Sequence, residues 1–186
     1  MKTTKIVLTV VALVVMASVL VSFNRAENKR VALEQMAQNV ADWERAKAYT
    51  KSYLDASTDA SINFKPTGEM RSFRQQMLHL AEANYGLSSA AAGKQSPIAF
   101  GSLEQSDKYK TKAELTTAVM DSYDYVIGIA KGMNDTMGGE MVKVFNMDMT
   151  RQVALAKTFE HQTHHRGQTT VYLRLSNIKP PEEKLF

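Results

Sequence analysis

The chain reads as an all-α protein: a four-helix bundle preceded by an N-terminal hydrophobic signal or anchor helix. Three observations predict this. Four stretches of about 24–30 residues repeat apolar side chains at helical spacings of three and four. Glycine- and proline-bearing segments separate them, and Ile6 to Phe23 runs for 18 residues ahead of them without a charge.

Taking the elements in order, Lys2 and Lys5 form a short positive region before the apolar run. As a helix, 18 residues rise roughly 27 Å, enough for a hydrocarbon core. An uncleaved anchor, a cleaved signal or a buried helix of the domain would each fit. The first two place the protein outside the cytoplasm, periplasmic or at the cell surface, with residues 6–23 in or through the membrane. The domain boundary is drawn accordingly, with residues 1–27 as leader and 28–183 as bundle. The first bundle helix, over residues 28–57, carries Val31, Met36, Val40, Trp43, Ala46, Tyr49, Tyr53 and Leu54 on its apolar face. Ser57 to Gly68 reads as a loop. A second helix is expected from Glu69 to Ala92, with Phe73, Met77, Leu80, Asn84 and Leu87 as its stripe and Gly93 as its stop. A loop over 94–110 leads to a third helix from Thr111 to Met137, ended by Gly138-Gly139. Met141 to Met147 alternates and reads as a brief extended stretch. The fourth helix spans Thr150 to Ser176, capped by Asp148 or Thr150; Asn177 and Pro180-Pro181 end it.

Composition excludes several function classes. The 186 residues suit one domain, and 44% apolar with 23% charged is ordinary for a folded chain. Net charge is +4. Setting aside residues 1–23, with Lys2 and Lys5, leaves about +2 and no basic stripe, so nucleic acid is not an expected partner. With no cysteine, the chain forms no disulfide, thiolate metal site or Cys nucleophile. Any metal must be held by nitrogen and oxygen.

Of four histidines, three fall in Glu-His-Gln-Thr-His-His-Arg-Gly-Gln, residues 160–168, on the fourth helix. His161 and His165 lie about 40° apart, one turn above the other, while His164 sits about 60° from His161 on the flank. Two imidazoles at this spacing chelate one divalent ion if a neighbouring helix adds a third ligand, and His79 on the second helix is the candidate. Such a donor set suits Zn²⁺, Ni²⁺ or Fe²⁺. A pair of surface or satisfied core histidines would show the same spacing. Position 162 is Gln, so the His-Glu-x-x-His zincin motif is absent.

His-Gln-Thr-His-His-Arg-Gly-Gln (161–168), Val-Tyr-Leu-Arg-Leu (171–175) and Ile-Lys-Pro-Pro (178–181) resemble the DinB-like metal-binding family, as does the stretch from Phe64 to Tyr85 at the second-helix entry. This is the DinB/YfiT superfamily of four-helix bundles, unrelated to the DNA polymerase of similar name. The resemblance covers roughly residues 30–183. It implies metal ligands His79, His161 and His165, with His164 as an extra, non-ligating histidine. Asn177 stands where relatives often have Gly, and many relatives lack the hydrophobic leader.

Relatives of this kind include thiol-dependent transferases and an isomerase, and many are labelled metal-dependent hydrolases. The resemblance therefore implies one divalent ion and a small-molecule substrate. A hydrolase-type enzyme is ranked slightly ahead of a thiol transferase, because export argues against a cytosolic thiol. A non-catalytic, membrane-tethered metal-binding module is the remaining alternative. Glu82, three residues past His79, is the candidate general base, against a solvated helical carboxylate. Arg166 and Arg174 are candidates for binding an anionic substrate, against charge on a solvated face. The eleven methionines read as core filling. A homodimer through helix faces is a further expectation.

Overall fold

The computed structural model describes the backbone of residues 2–185 and their side chains, apart from those of residues 2–12, 14, 32, 33 and 135. A single helix, α1, runs unbroken from Lys2 to Ala56. No glycine or proline occurs before Pro66, so nothing in the chain interrupts backbone hydrogen bonding there. Charged turns continue the helix past Phe23, where Arg30 pairs with Glu27 at 2.6 Å and Glu34 at 2.7 Å.

This continuity corrects the expectation of a separate signal or anchor helix. Among the described residues no helix is long and apolar enough to cross a membrane. The membrane contact, the transmembrane or signal character and the extracytoplasmic placement are withdrawn with it. The side chains of Ile6 to Ala12 and of Val14, on which that expectation also rested, lie outside the described residues.

Three further long helices complete the bundle: α2 (Phe73–Ala91), α3 (Lys112–Gly132) and α5 (Arg151–Leu175). A single turn, α4 (Asp135–Gly138), and a hairpin of β1 (Met141–Val144) and β2 (Met147–Thr150) lie between α3 and α5. The fold is therefore mostly helical with a two-stranded sheet, and not all-α. The alternating Met-Val-Lys-Val and Met-Asp-Met-Thr segments pair across Phe145 and Asn146, both of which take positive φ.

Local chemistry sets the helix ends. Ser72 and Gln75 form a reciprocal capping box, so α2 begins at Phe73 and not at Glu69. Thr111 and Glu114 do the same for α3, and Thr150 caps α5 by accepting from the Val153 amide. The α3 helix stops at Gly132, short of the expected Met137, because Met133 turns extended. Gly93 and Asn177 adopt left-handed φ of 65° and 59° after α2 and α5, as C-terminal stops require.

The helix α2 lies against α5 and α3, and α1 lies against α3 and α5, closing a ring of four around one core. Trp43 of α1 is fully buried, edge-on to Tyr123 of α3 at 6.0 Å and to Phe159 of α5 at 5.2 Å. These three rings tie one seam of the bundle. The α2–α5 seam is its counterpart, and there the histidines meet.

Candidate metal centre

His79 stands in the second turn of α2, on the side facing α5, while His161 and His165 follow one another up α5. Their ring centroids are 5.3 Å (His79–His161), 4.6 Å (His79–His165) and 4.3 Å (His161–His165) apart. One nitrogen from each ring lies within 4.8 Å of the other two, close enough to surround a single ion. His164 packs its ring 4.9 Å from His165 but outside this group, exposed on the helix flank.

Two of the three rings are oriented by neighbours. His165 Nδ1 donates to Gln76 Oε1 at 3.1 Å, and His79 Nδ1 donates to Glu104 Oε2 at 3.2 Å. With those protons committed, each ring keeps an Nε2 lone pair for an ion. His161 Nδ1 is buried and has no hydrogen-bond partner, an unmet capacity of the sort that a ligand satisfies. Gln76 also donates through Nε2 to Gln168, whose own amide contacts His164 Nε2 at 3.1 Å.

Burial makes these imidazoles neutral. Loss of solvation holds His161 down at about 4 and His165 at about 3, and the other histidines and Arg71 reinforce it. His79 is lowered by the same desolvation, with Glu104 opposing. Neutral nitrogen donors, two of them with fixed tautomers, fit a divalent ion of the Zn²⁺, Ni²⁺ or Fe²⁺ type.

Glu82 is elsewhere engaged. It is 1% exposed, and its carboxylate accepts from the Gly101 amide at 3.1 Å, the Glu104 amide at 2.9 Å and the Leu103 amide. A second group of close ligand atoms, His79 with Glu82 and Glu104, therefore has one member whose oxygens already hold three donors. Arg166 is neither on a solvated face nor at the cleft. It is 5% exposed, its guanidinium 4.5 Å over the Tyr49 ring and its Nη1 donating to Gln162 Oε1. Arg174 is exposed on the last turn of α5.

The centre opens on a cleft of about 670 Å³ whose lining includes Arg71, Gln76, Glu104, His164, His165 and Tyr172. Tyr172 fixes the cleft wall by donating to the Arg71 carbonyl at 2.9 Å. Sequence reading passed over Glu104, Gln76 and Arg71. Gln76 had a signal, since it lies three residues before His79 on the same face; Glu104 sits in a loop with no periodicity.

Fold and geometry together define a helical bundle with a candidate three-histidine metal centre at the seam of two helices. Residues 28–182 match the DinB family, and the chain belongs to it. Among solved structures, a DinB-like protein from Bacillus cereus superposes with a TM-score of 0.67 at 18% identity, covering 78% of this chain and 95% of its own. The DinB-like protein YjoA from Bacillus subtilis gives 0.63 at 17%, covering 80% and 96%. A conserved protein from Enterococcus faecalis gives 0.54 at 17%, covering 75% and 95%. At these identities the likeness is one of fold. No curated protein matches the chain's sequence significantly.

Proposed function

We propose that the chain is a divalent-metal-dependent enzyme of hydrolase type. In this reading His79, His161 and His165 hold one Zn²⁺, Ni²⁺ or Fe²⁺, and a small polar substrate enters the adjoining cleft. The observation that carries it is the convergence of three neutral imidazoles, one of which, His165, lines an open cleft. When bound, such an ion supplies Lewis-acid activation of a water or of a substrate oxygen. The protein's own part is to present nitrogen lone pairs, through Gln76 and Glu104, and to keep the rings unprotonated by burying them. Arg71, Gln168 and His164 supply the polar contacts for a substrate in the cleft.

A thiol transferase is the second reading, favoured by one observation. Glu82 has its oxygens committed to loop amides, so it is not free as a general base, and we assign it to holding the loop. A thiol activated by the ion needs no protein base. Loss of the export argument also removes the reason for ranking this reading lower. The test is elemental analysis of untagged protein, followed by a panel of esters and amides with and without a small thiol. Hydrolysis that chelators abolish supports the first reading. Turnover only with thiol present moves the assignment to transfer, and a saturated metal site with neither activity leaves a metal-binding module.

A further inference from the structure

We infer that Glu104, on the loop between α2 and α3, is a positioning residue for the metal centre: its carboxylate sets the tautomer and ring orientation of His79. The inference rests on the metal reading above and adds a residue outside the three histidines.

The geometry is a chain of three holds. Glu82 lies on α2, three residues past His79, and its buried carboxylate fixes the Gly101, Leu103 and Glu104 amides. The loop so fixed places the Glu104 side chain between two partners. Its Oε1 accepts from Arg71 Nε at 2.7 Å, and its Oε2 accepts from His79 Nδ1 at 3.2 Å. One helix therefore carries both the ligand and the anchor of the loop that orients it. A carboxylate can only accept, so it forces the proton onto Nδ1 and leaves Nε2 as the donor atom. Its charge also makes the ring a stronger ligand. His165 receives a neutral acceptor instead, the Gln76 amide.

Glu104 is not itself placed as part of a second ion site. The group it forms with His79 and Glu82 would draw on a Glu82 carboxylate that already accepts three backbone amides and is turned to the loop.

Cobalt(II) titration of the full chain tests this, read by affinity and by the visible ligand-field bands. Glu104→Ala is expected to weaken cobalt binding by about 10- to 100-fold and shift the bands. Glu104→Gln, which keeps an acceptor oxygen without the charge, should fall between it and wild type. Arg71→Gln, which keeps the Glu104–His79 bond, should leave the bands in place. Wild-type affinity and bands in both Glu104 variants would overturn the inference. So would complete loss of binding, as expected for His161→Ala, which would make Glu104 a ligand. A band shift in Arg71→Gln equal to that of Glu104→Ala would place the effect on the ion pair and also overturn it. A wild-type chain that takes up no cobalt would defeat the metal reading itself, and a binding wild type with indifferent Glu104 variants would defeat only this inference.

Discussion

Two buried polar clusters lie one residue apart around α5, and they differ in what they leave over. Toward α1 and α3, Gln162 Oε1 accepts from Tyr123 Oη at 2.8 Å and from Arg166 Nη1 at 2.9 Å. Thr50 Oγ1 donates to Tyr123 Oη at 2.6 Å, and Gln162 Nε2 donates to Thr163 at 2.7 Å. That cluster consumes its own hydrogen-bonding capacity. Toward α2, His161 and His165 meet His79 with lone pairs unspent and one buried nitrogen unpartnered. Both clusters are polar and enclosed, but only the second has capacity for something the chain does not supply. Burial of polar groups therefore does not identify a site; three imidazoles converging with lone pairs unspent do.

The comparison breaks most sharply at His161. Replacing His161 or His165 with Ala should abolish stoichiometric metal binding, a larger loss than the roughly 100-fold typical of an outer-shell change. His164→Ala should largely spare it. Inductively coupled plasma analysis after gel filtration distinguishes these, and equal losses in all three would mean that the ligand face is misassigned.

The next largest effect is expected at Glu82. Glu82→Ala removes three bonds to a buried carboxylate, and a loss of about 3 kcal/mol in urea unfolding should follow. An unchanged midpoint would show that the loop does not depend on it.

The open cluster should also carry a pH signature. His161 and His165 are held at about 4 and about 3 by burial, below the ordinary 6.5. As pH falls, the unfolded chain takes up protons before the folded one does. The stability tied to these rings is whole above about 6.5 and is lost progressively as pH drops toward those folded values. Metal-free protein should show a falling Tm from pH 7 to pH 4, and His161→Ala a shallower fall. A flat profile in the wild type would contradict the burial of neutral rings.

The smallest expected effect sharpens the contrast from the other side. Tyr123→Phe removes one hydroxyl from the closed cluster, costing about 1 kcal/mol, while metal affinity stays at the wild-type value. A drop in affinity would mean that the two clusters are coupled across α5.

Much of this was legible in the sequence because helices repeat. Trp43, Tyr53, Met77, Leu80, Val119, Tyr123 and Tyr172 fall in the core as their stripes predict, whereas Val31, at the head of the first stripe, is exposed. The spacing of His161 and His165 placed both on one seam. Gly93 and Asn177 showed their stops through backbone conformation alone. What escaped lacks such repetition. Glu104 reaches His79 from a loop, and its importance comes from a contact 25 residues away along the chain. Arg166 belongs by charge to a solvated face, yet an aromatic ring and a buried amide accommodate it in the interior. The apolar run near the N-terminus read as a separate helix because nothing in its composition says whether the turns after it continue, and they do.

The hairpin before α5 has a consequence of its own. Phe145 and Asn146 bend the chain with φ of 46° and 64°, and for a phenylalanine the left-handed region costs about 1–2 kcal/mol. That turn fixes Met141 opposite Thr150, and Thr150 is also the first cap of α5. The hairpin thus indexes the helix like a keyway on a shaft. Slipping its register by one residue would turn every later α5 side chain by about 100° and swing the His161–His165 edge off α2 altogether.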